Sequence, residues 1–291
     1  MIPNIEIAVY GLGSAGRALV GTLCAQGLQV ITLWNRDPDH ARDAARELGM
    51  PVASGEPPRT RARLIFVAVR DQAVVEVARH LVATGCIPSG AVLAHLAGAL
   101  AAEVLDVAAG RDWYVGALHP LRALRGISTT VQGSFCALDG EAPAMQLLEA
   151  LCAHLGCPSA RVAPEQRALY HAAAALAGND VVALLDAALR ALQIAGLAPA
   201  QARLAAVDLC RSALDNLGQR GPAEALTGAL VRGDDQVIAA HLQALSALDA
   251  NSVALHRIAC RALLPLARAR GLDVGSLQRM HALVDDRDGN T

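Results

Sequence analysis

The sequence predicts a doubly wound, mostly parallel α/β domain over residues 1–160 and an all-helical domain over residues 161–291. Three observations carry that expectation. Short apolar runs suited to buried parallel strands alternate with helix-length stretches through the first half of the chain. A glycine-rich turn joins the first of these runs to the first helix. Beyond residue 164 the strand formers disappear and the pattern stays helical.

The first strand, Ile5-Glu6-Ile7-Ala8-Val9-Tyr10, runs directly into Gly11-Leu12-Gly13-Ser14-Ala15-Gly16 and then into a helical stretch carrying Ala18, Leu19, Val20 and Leu23. A G-x-G-x-x-G turn between a strand and a helix is the arrangement that holds a dinucleotide pyrophosphate. Gly11 permits the tight turn, Gly13 lets the backbone approach the phosphates, and Gly16 lets the helix pack closely on the strand. The helix beginning near Ser14 offers unpaired N–H groups, including that of Ala15, and the positive end of its dipole. The plainer alternative is a glycine turn that only connects two elements. Residues 29–34 form the second strand, and about 20 residues past the glycines a carboxylate would bind the ribose 2′-hydroxyl of NAD. Asn35 and Arg36 stand there instead, and a guanidinium pairs with a 2′-phosphate in bidentate fashion. Asp37-Pro38 reads as an N-cap followed by proline at the first helical position, which leaves Arg36 free. NADP(H) is therefore expected over NAD(H).

Next come a helix over 39–48, a small strand at 51–53 and a loop rich in proline and arginine over 56–63. The continuous apolar run 64–69 is a strand buried on both faces. Val69 and Arg70 fall at its carboxyl end, where ligands of open α/β sheets sit, and are expected to contact the cofactor. A helix over 73–84, a strand over 91–95, a helix over 100–109 and a strand over 113–118 follow, the last leading into His119-Pro120. A strand at 134–138 and a helix over 142–155 complete the first domain. Residues 165–192 read as one long helix, and the remaining helices are separated at 196–199, 218–222, 232–234 and 270–271.

Composition narrows the chemistry. A net charge of −2 gives no basic field for nucleic acid, and 2% aromatic residues leave few stacking platforms. Seven cysteines without C-x-x-C spacing read as buried apolar thiols in a reducing compartment, neither disulfides nor zinc ligands. The uncharged stretch 81–102 is broken by Gly85, Pro88, Ser89, Gly90 and His95, so no transmembrane span is expected, and the N-terminus begins with a strand where a signal peptide would lie. The expectation is a cytoplasmic protein without membrane or nucleic-acid partners. All 25 basic residues are arginine, which excludes a lysine base or a Schiff base.

Proton chemistry must then come from other groups. His119, at a strand's carboxyl end and fixed by Pro120, is a candidate proton donor; a histidine that shapes the loop is the alternative. His171 and Asn179 lie eight residues apart, two helical turns, on one face of the expected long helix. Asn179 is polar in an apolar setting and is expected to be buried against substrate, cofactor or another helix. Gly178 beside it permits close approach. His95 and Arg232 are weaker candidates for substrate contact; Arg232 would otherwise pair with a carboxylate at a helix end. Tyr170 is expected to pack. No metal site is expected.

With these residues placed, the chain resembles a bacterial family of Rossmann-like proteins with a helical C-terminal domain of unknown function. The segments that carry the likeness are GLGSAGRAL, LIFVAVRDQAV, VGALHPL, YHAAAALAGNDVVALLDAA and EALTGALVRGD followed by HLQAL. The family looks like a distant relative of pyrroline-5-carboxylate reductase, prephenate dehydrogenase, the 6-phosphogluconate dehydrogenase group and the imine reductases. That resemblance implies NAD(P)-dependent redox chemistry in a cleft between the two domains. The chain departs from it twice. The lysine that hydroxyacid dehydrogenases place four residues before the asparagine is Ala175 here, and the hydroxyl-bearing residues after the strand-end histidine are Leu96 and Ala97. The reading that results is an NADPH-dependent reductase of a small C=O or C=N substrate, homodimeric through its helical domain. The alternatives are a non-catalytic NADP(H)-binding sensor or scaffold, and a partner passing hydride between NADP and a deazaflavin.

Overall fold

The computed structural model describes residues 4–285, which divide into two compact units at Ala177 and Gly178. In the first unit the chain runs β1 (Glu6–Tyr10), α1 (Ser14–Ala25), β2 (Gln29–Trp34), α2 (Pro38–Leu48), β3 (Leu64–Val67), α3 (Val74–Ala83), β4 (Val92–His95), β5 (Tyr114–Pro120), β6 (Cys136–Gly140), α4 (Ala142–His154), β7 (Ser159–Arg161) and α5 (Arg167–Ala177). One sheet of order β2-β1-β3-β4-β5-β6-β7 holds all seven strands, and every neighbouring pair is parallel except β5 with β6. This is the doubly wound topology that the alternation of strands and helices predicts.

The unbroken apolar runs follow from burial on both faces. Ile7, Val9, Leu64 and Phe66 face one core with Leu19, Leu23 and Leu148, while Ala8, Tyr10, Ile65 and Val67 face another with Val74, Ala78 and Leu81. Strand period places successive side chains on opposite faces, so a strand covered on both sides is apolar at every position. Register carries Trp34, Tyr10, Val67, His95 and Ala117 across the sheet as neighbours. The carboxyl ends of β1 to β5 thus share one edge, and His119 extends past it.

Several expectations need correction. Residues 51–53 make a single bridge, Ala53 to Trp34, and no strand. The helix expected over 100–109 is a single 3-10 turn, Ala102–Leu105. The Ala102 N–H is taken by the Asp139 carboxylate at 2.9 Å, and Ala102 and Leu105 are anchored in the core, which fixes the segment as a turn. The long helix breaks at Gly178, where φ is −117° and ψ −79°, and α6 starts at Asn179. Glycine has the largest backbone entropy to lose in a helix, so the break falls there. The units accordingly divide at 177/178, later than the expected boundary at 160/161, because β7 extends the sheet and α5 engages β5 through Tyr170. Of the seven cysteines, all unpaired, Cys24 is exposed and Cys210 half-buried; the other five are buried as expected.

The second unit is all-helical over its described residues: α6 (Asn179–Ile194), α7 (Pro199–Arg220), α8 (Pro222–Ala225), α9 (Ala229–Arg232), α10 (Asp235–Ser246), α11 (Ala250–Ala269) and α12 (Val274–Asp285). Its core gathers Leu230, Ile238, Leu242, Cys260, Leu264, Met280 and Val284 from α9 to α12. The segment Pro164–Ile194 is long and apolar enough to cross a membrane by length and composition alone.

Candidate functional site

The glycine turn is built by close approach. Gly11 has φ +104°, and a Cβ on it would meet the Ala68 carbonyl oxygen at 2.6 Å. A Cβ on Gly16 would lie 2.2 Å from the Gly11 carbonyl oxygen. A Cβ on Gly13, in contrast, would meet nothing within 4 Å, because that residue faces open space. Helix α1 carries no side-chain N-cap and no carboxylate in its first turn. An uncapped helix N-terminus with free room above it fits a dinucleotide pyrophosphate.

This turn floors a cleft of about 1210 Å³. Gly11, Gly13, Ser14, Ala15, Asn35, Arg36, Val69 and Arg70 line it, so those expected cofactor contacts share one cavity; Gly16 stands behind the turn and shapes it. Asn35 accepts the Leu12 N–H through Oδ1 at 3.3 Å, tying the end of β2 to the turn. Asp37 caps α2, accepting the N–H groups of Asp39 and His40 through Oδ1. Arg36 pairs with Glu76 at 2.9 Å, with both side chains 67% exposed. Such a surface pair is worth little, about 0–1 kcal/mol, and a 2′-phosphate can displace it. Sequence reading missed one wall: Arg125, Gly126, Ile127 and Ser128, from the connection between β5 and β6, also line the cleft. No local motif marks them.

A second group gathers beyond the carboxyl ends of β4 and β5. The His119 Nδ1 and the Tyr170 hydroxyl form a 2.8 Å hydrogen bond. The His119 and His171 ring centroids lie 6.1 Å apart. Gly98 fits between them: a Cβ there would come within 2.7 Å of His171 Nδ1 and 2.9 Å of His119 Nε2. His119 is pushed down to about 4 by its burial, then by His171, Arg167 and His95. It is neutral at pH 7. Burial pushes Tyr170 up, so its hydroxyl keeps its proton. Tyr170 thus has a polar contact where packing alone was expected.

The remaining candidates lie elsewhere. His95 is fully buried; its Nδ1 accepts the Ala97 N–H, so Nε2 carries the proton and donates to the Ala101 carbonyl. Both ring nitrogens are engaged with backbone, which leaves none for the expected substrate contact. Asn179 is exposed in the first turn of α6, not buried as expected, because the break at Gly178 ends the apolar helix around it; the break also puts it in the second unit. Arg232 pairs with Asp234 at 2.9 Å at the end of α9, the plainer of its two expected roles. The described residues contain no metal-ligating cluster.

Comparison with known proteins agrees with this geometry. Residues 6–87 match the family model described as NADP oxidoreductase, coenzyme F420-dependent, and residues 134–263 match a domain of unknown function. Residues 6–87 are accordingly an NADP-binding oxidoreductase domain. No curated protein sequence matches the chain. Among solved structures, a Bacteroides fragilis protein provisionally named an NADP oxidoreductase is 21% identical, with TM-score 0.74, over 90% of this chain and 99% of its own. A pyrroline-5-carboxylate reductase of Streptococcus pyogenes is 14% identical, with TM-score 0.63, over 97% and 98%. An imine reductase of a Pseudomonas species is 20% identical, with TM-score 0.56, over 95% and 99%. At these identities the likeness shows a shared fold.

Proposed function

We propose that the protein is an NADPH-dependent reductase of a small substrate bearing a C=O or C=N bond. The observation that carries this reading is that one sheet edge holds both a dinucleotide cleft and, two strands further along, a proton-bearing His119–Tyr170 pair. A pure sensor has no need of the second group, so the non-catalytic alternative is set aside. The cofactor, when bound, supplies the hydride. The chain's own task is to bind and orient it: the α1 N-terminus and Gly13 at the pyrophosphate, Arg36 at the 2′-phosphate, Val69 and Arg70 along the cleft wall.

Proton delivery falls to a neutral pair. His119 at pH 7 is an imidazole, so the proton leaves from the Tyr170 hydroxyl or from a neutral ring N–H, and the shared hydrogen bond lets the partner replace it. His171, exposed beside them, connects the pair with solvent. Asn179 is assigned no step. The match of residues 6–87 to a coenzyme F420-dependent model supports a second reading, in which a deazaflavin is the hydride partner. We further propose a homodimer in a reducing cytoplasm, on the exposed apolar residues of the helical unit and the unpaired cysteines.

The test is a fluorescence titration with NADPH and NADH on wild type and Arg36→Ala, followed by NADPH oxidation with imines, ketones and a deazaflavin. Arg36→Ala is expected to weaken NADPH about tenfold or more and leave NADH unchanged. Absence of binding by either nucleotide overturns the reading.

A further inference from the structure

Arg167 is the most unusual side chain in the first unit. It is only 1% exposed, and none of its three guanidinium nitrogens has a hydrogen-bond partner among the described residues. A guanidinium stays charged in a protein, and a buried charge without a partner is strongly destabilising, as when one member of a buried pair is removed. The carboxylate whose charge acts on it is that of Asp139, but no ion pair joins them. One Asp139 oxygen already accepts the Ala102 N–H at 2.9 Å. The position of this charge is specific. It starts α5 one turn before Tyr170 and His171, and its field reaches Tyr170, His119 and His95.

We propose that Arg167 receives an anionic group of the substrate, a carboxylate, and holds the C=O or C=N bond beside the His119–Tyr170 pair. This rests on the reductase reading and narrows its substrate class to carbonyl or imine compounds carrying a carboxylate. The chemistry suits the residue: a planar fork of five N–H donors matches a carboxylate in bidentate fashion. Approach is from the side of His171, the exposed member of the cluster. Two consequences follow from charge alone. A bound carboxylate neutralises Arg167 and relieves His119 of one of the charges that hold it down. It also lies beside the C=O or C=N bond, where a negative charge raises the proton affinity of the atom that takes the proton as hydride arrives.

The experiment reads the His119 ring by NMR across pH in the full chain, both without nucleotide and with NADP+ bound. The additives are acetate, pyruvate and 2-oxoglutarate, and their neutral partners acetamide and pyruvamide, each at 100 mM with ionic strength held constant. At least one carboxylate is expected to raise the His119 titration midpoint in wild type, and the amides are not. In Arg167→Met the midpoint is already raised and does not respond; Arg167→Lys keeps part of the response. Equal effects of acids and amides, no effect of any acid, or a response in Arg167→Met equal to that of wild type would overturn the assignment. The wild-type arm decides even where Arg167→Met does not fold. The arm without nucleotide keeps this outcome separate from any failure of NADPH binding. Once turnover is found, carboxylate-bearing substrates are expected to lose about 100-fold in kcat/KM in Arg167→Lys, while neutral analogues change little.

Discussion

At His119 the chain trades stability for a neutral imidazole. Burial and three neighbouring groups hold its folded value at about 4, below the ordinary value of about 6.5. Between those two values the unfolded chain binds more protons than the folded one, so stability falls as pH drops through that window. His95, lowered chiefly by its burial, acts in the same direction. Urea unfolding at pH 7 and pH 4.5 is expected to show a loss on the order of 2 kcal/mol that His119→Gln removes while the His95 share persists. An unchanged difference in His119→Gln would show that the ring titrates normally. The same neutrality shapes the mechanism, because a histidine with this value supplies no imidazolium at pH 7 and leaves the proton to the Tyr170 hydroxyl or a neutral ring N–H. The kcat/KM profile is therefore expected to lack an acidic limb near 6.5, and Tyr170→Phe is expected to lower kcat by about 100-fold, within the range for general acid catalysis.

At the scale of elements, the strand–turn–helix unit separates two uses of glycine. Gly16 is a packing position: Gly16→Ala forces a methyl onto a backbone carbonyl and is expected to cost about 1–3 kcal/mol, read by thermal or urea unfolding. Gly13 is a ligand position with φ −71°, which alanine adopts freely, and with open space above it. Gly13→Ala is expected to unfold as wild type does but bind NADPH at least about tenfold more weakly. Loss of stability in both, or of binding in neither, would contradict this division. The turn was legible in the sequence because its chemistry is local, and so were Arg36 and the Asp37 cap at the end of β2. The buried parallel strands were legible as apolar runs that need cover on both faces. The 3-10 turn at Ala102–Leu105 was not legible, since it depends on Asp139, distant in sequence. Arg167 and the Tyr170 contact were hidden for the same reason: helical spacing shows which residues share a face of α5, but not that this face meets the end of β5. The break at Gly178 did have a signal, the glycine itself, outweighed by the apolar periodicity on either side.

For the whole molecule, the open question is what covers the apolar helices. Leu204 and Leu209 on α7 are each 73% exposed, Val182 and Ile194 on α6 each 66%, and Leu214 is 55% exposed. Single exposed leucines are ordinary on a protein surface, but a series along two paired helices is the mark of an interaction face. Lipid and a second copy of the chain both answer to that description. Helix α7 favours the second: it carries Arg203, Asp208, Arg211, Asp215 and Arg220 over its length, and charges of both signs along one helix are costly in hydrocarbon. Symmetric association also uses one patch twice, which suits a chain that exposes Val182, Leu184, Ile194, Leu204, Leu209, Leu214 and Leu217 along α6 and α7. Sedimentation equilibrium without detergent is therefore expected to give twice the 30.1 kDa chain mass. A Leu204→Arg, Leu209→Arg double variant is expected to sediment as a monomer while keeping NADPH affinity, because the cleft is lined entirely by residues of the first unit. A wild-type monomer would remove the dimer, and flotation of wild type with liposomes would assign the face to membrane instead.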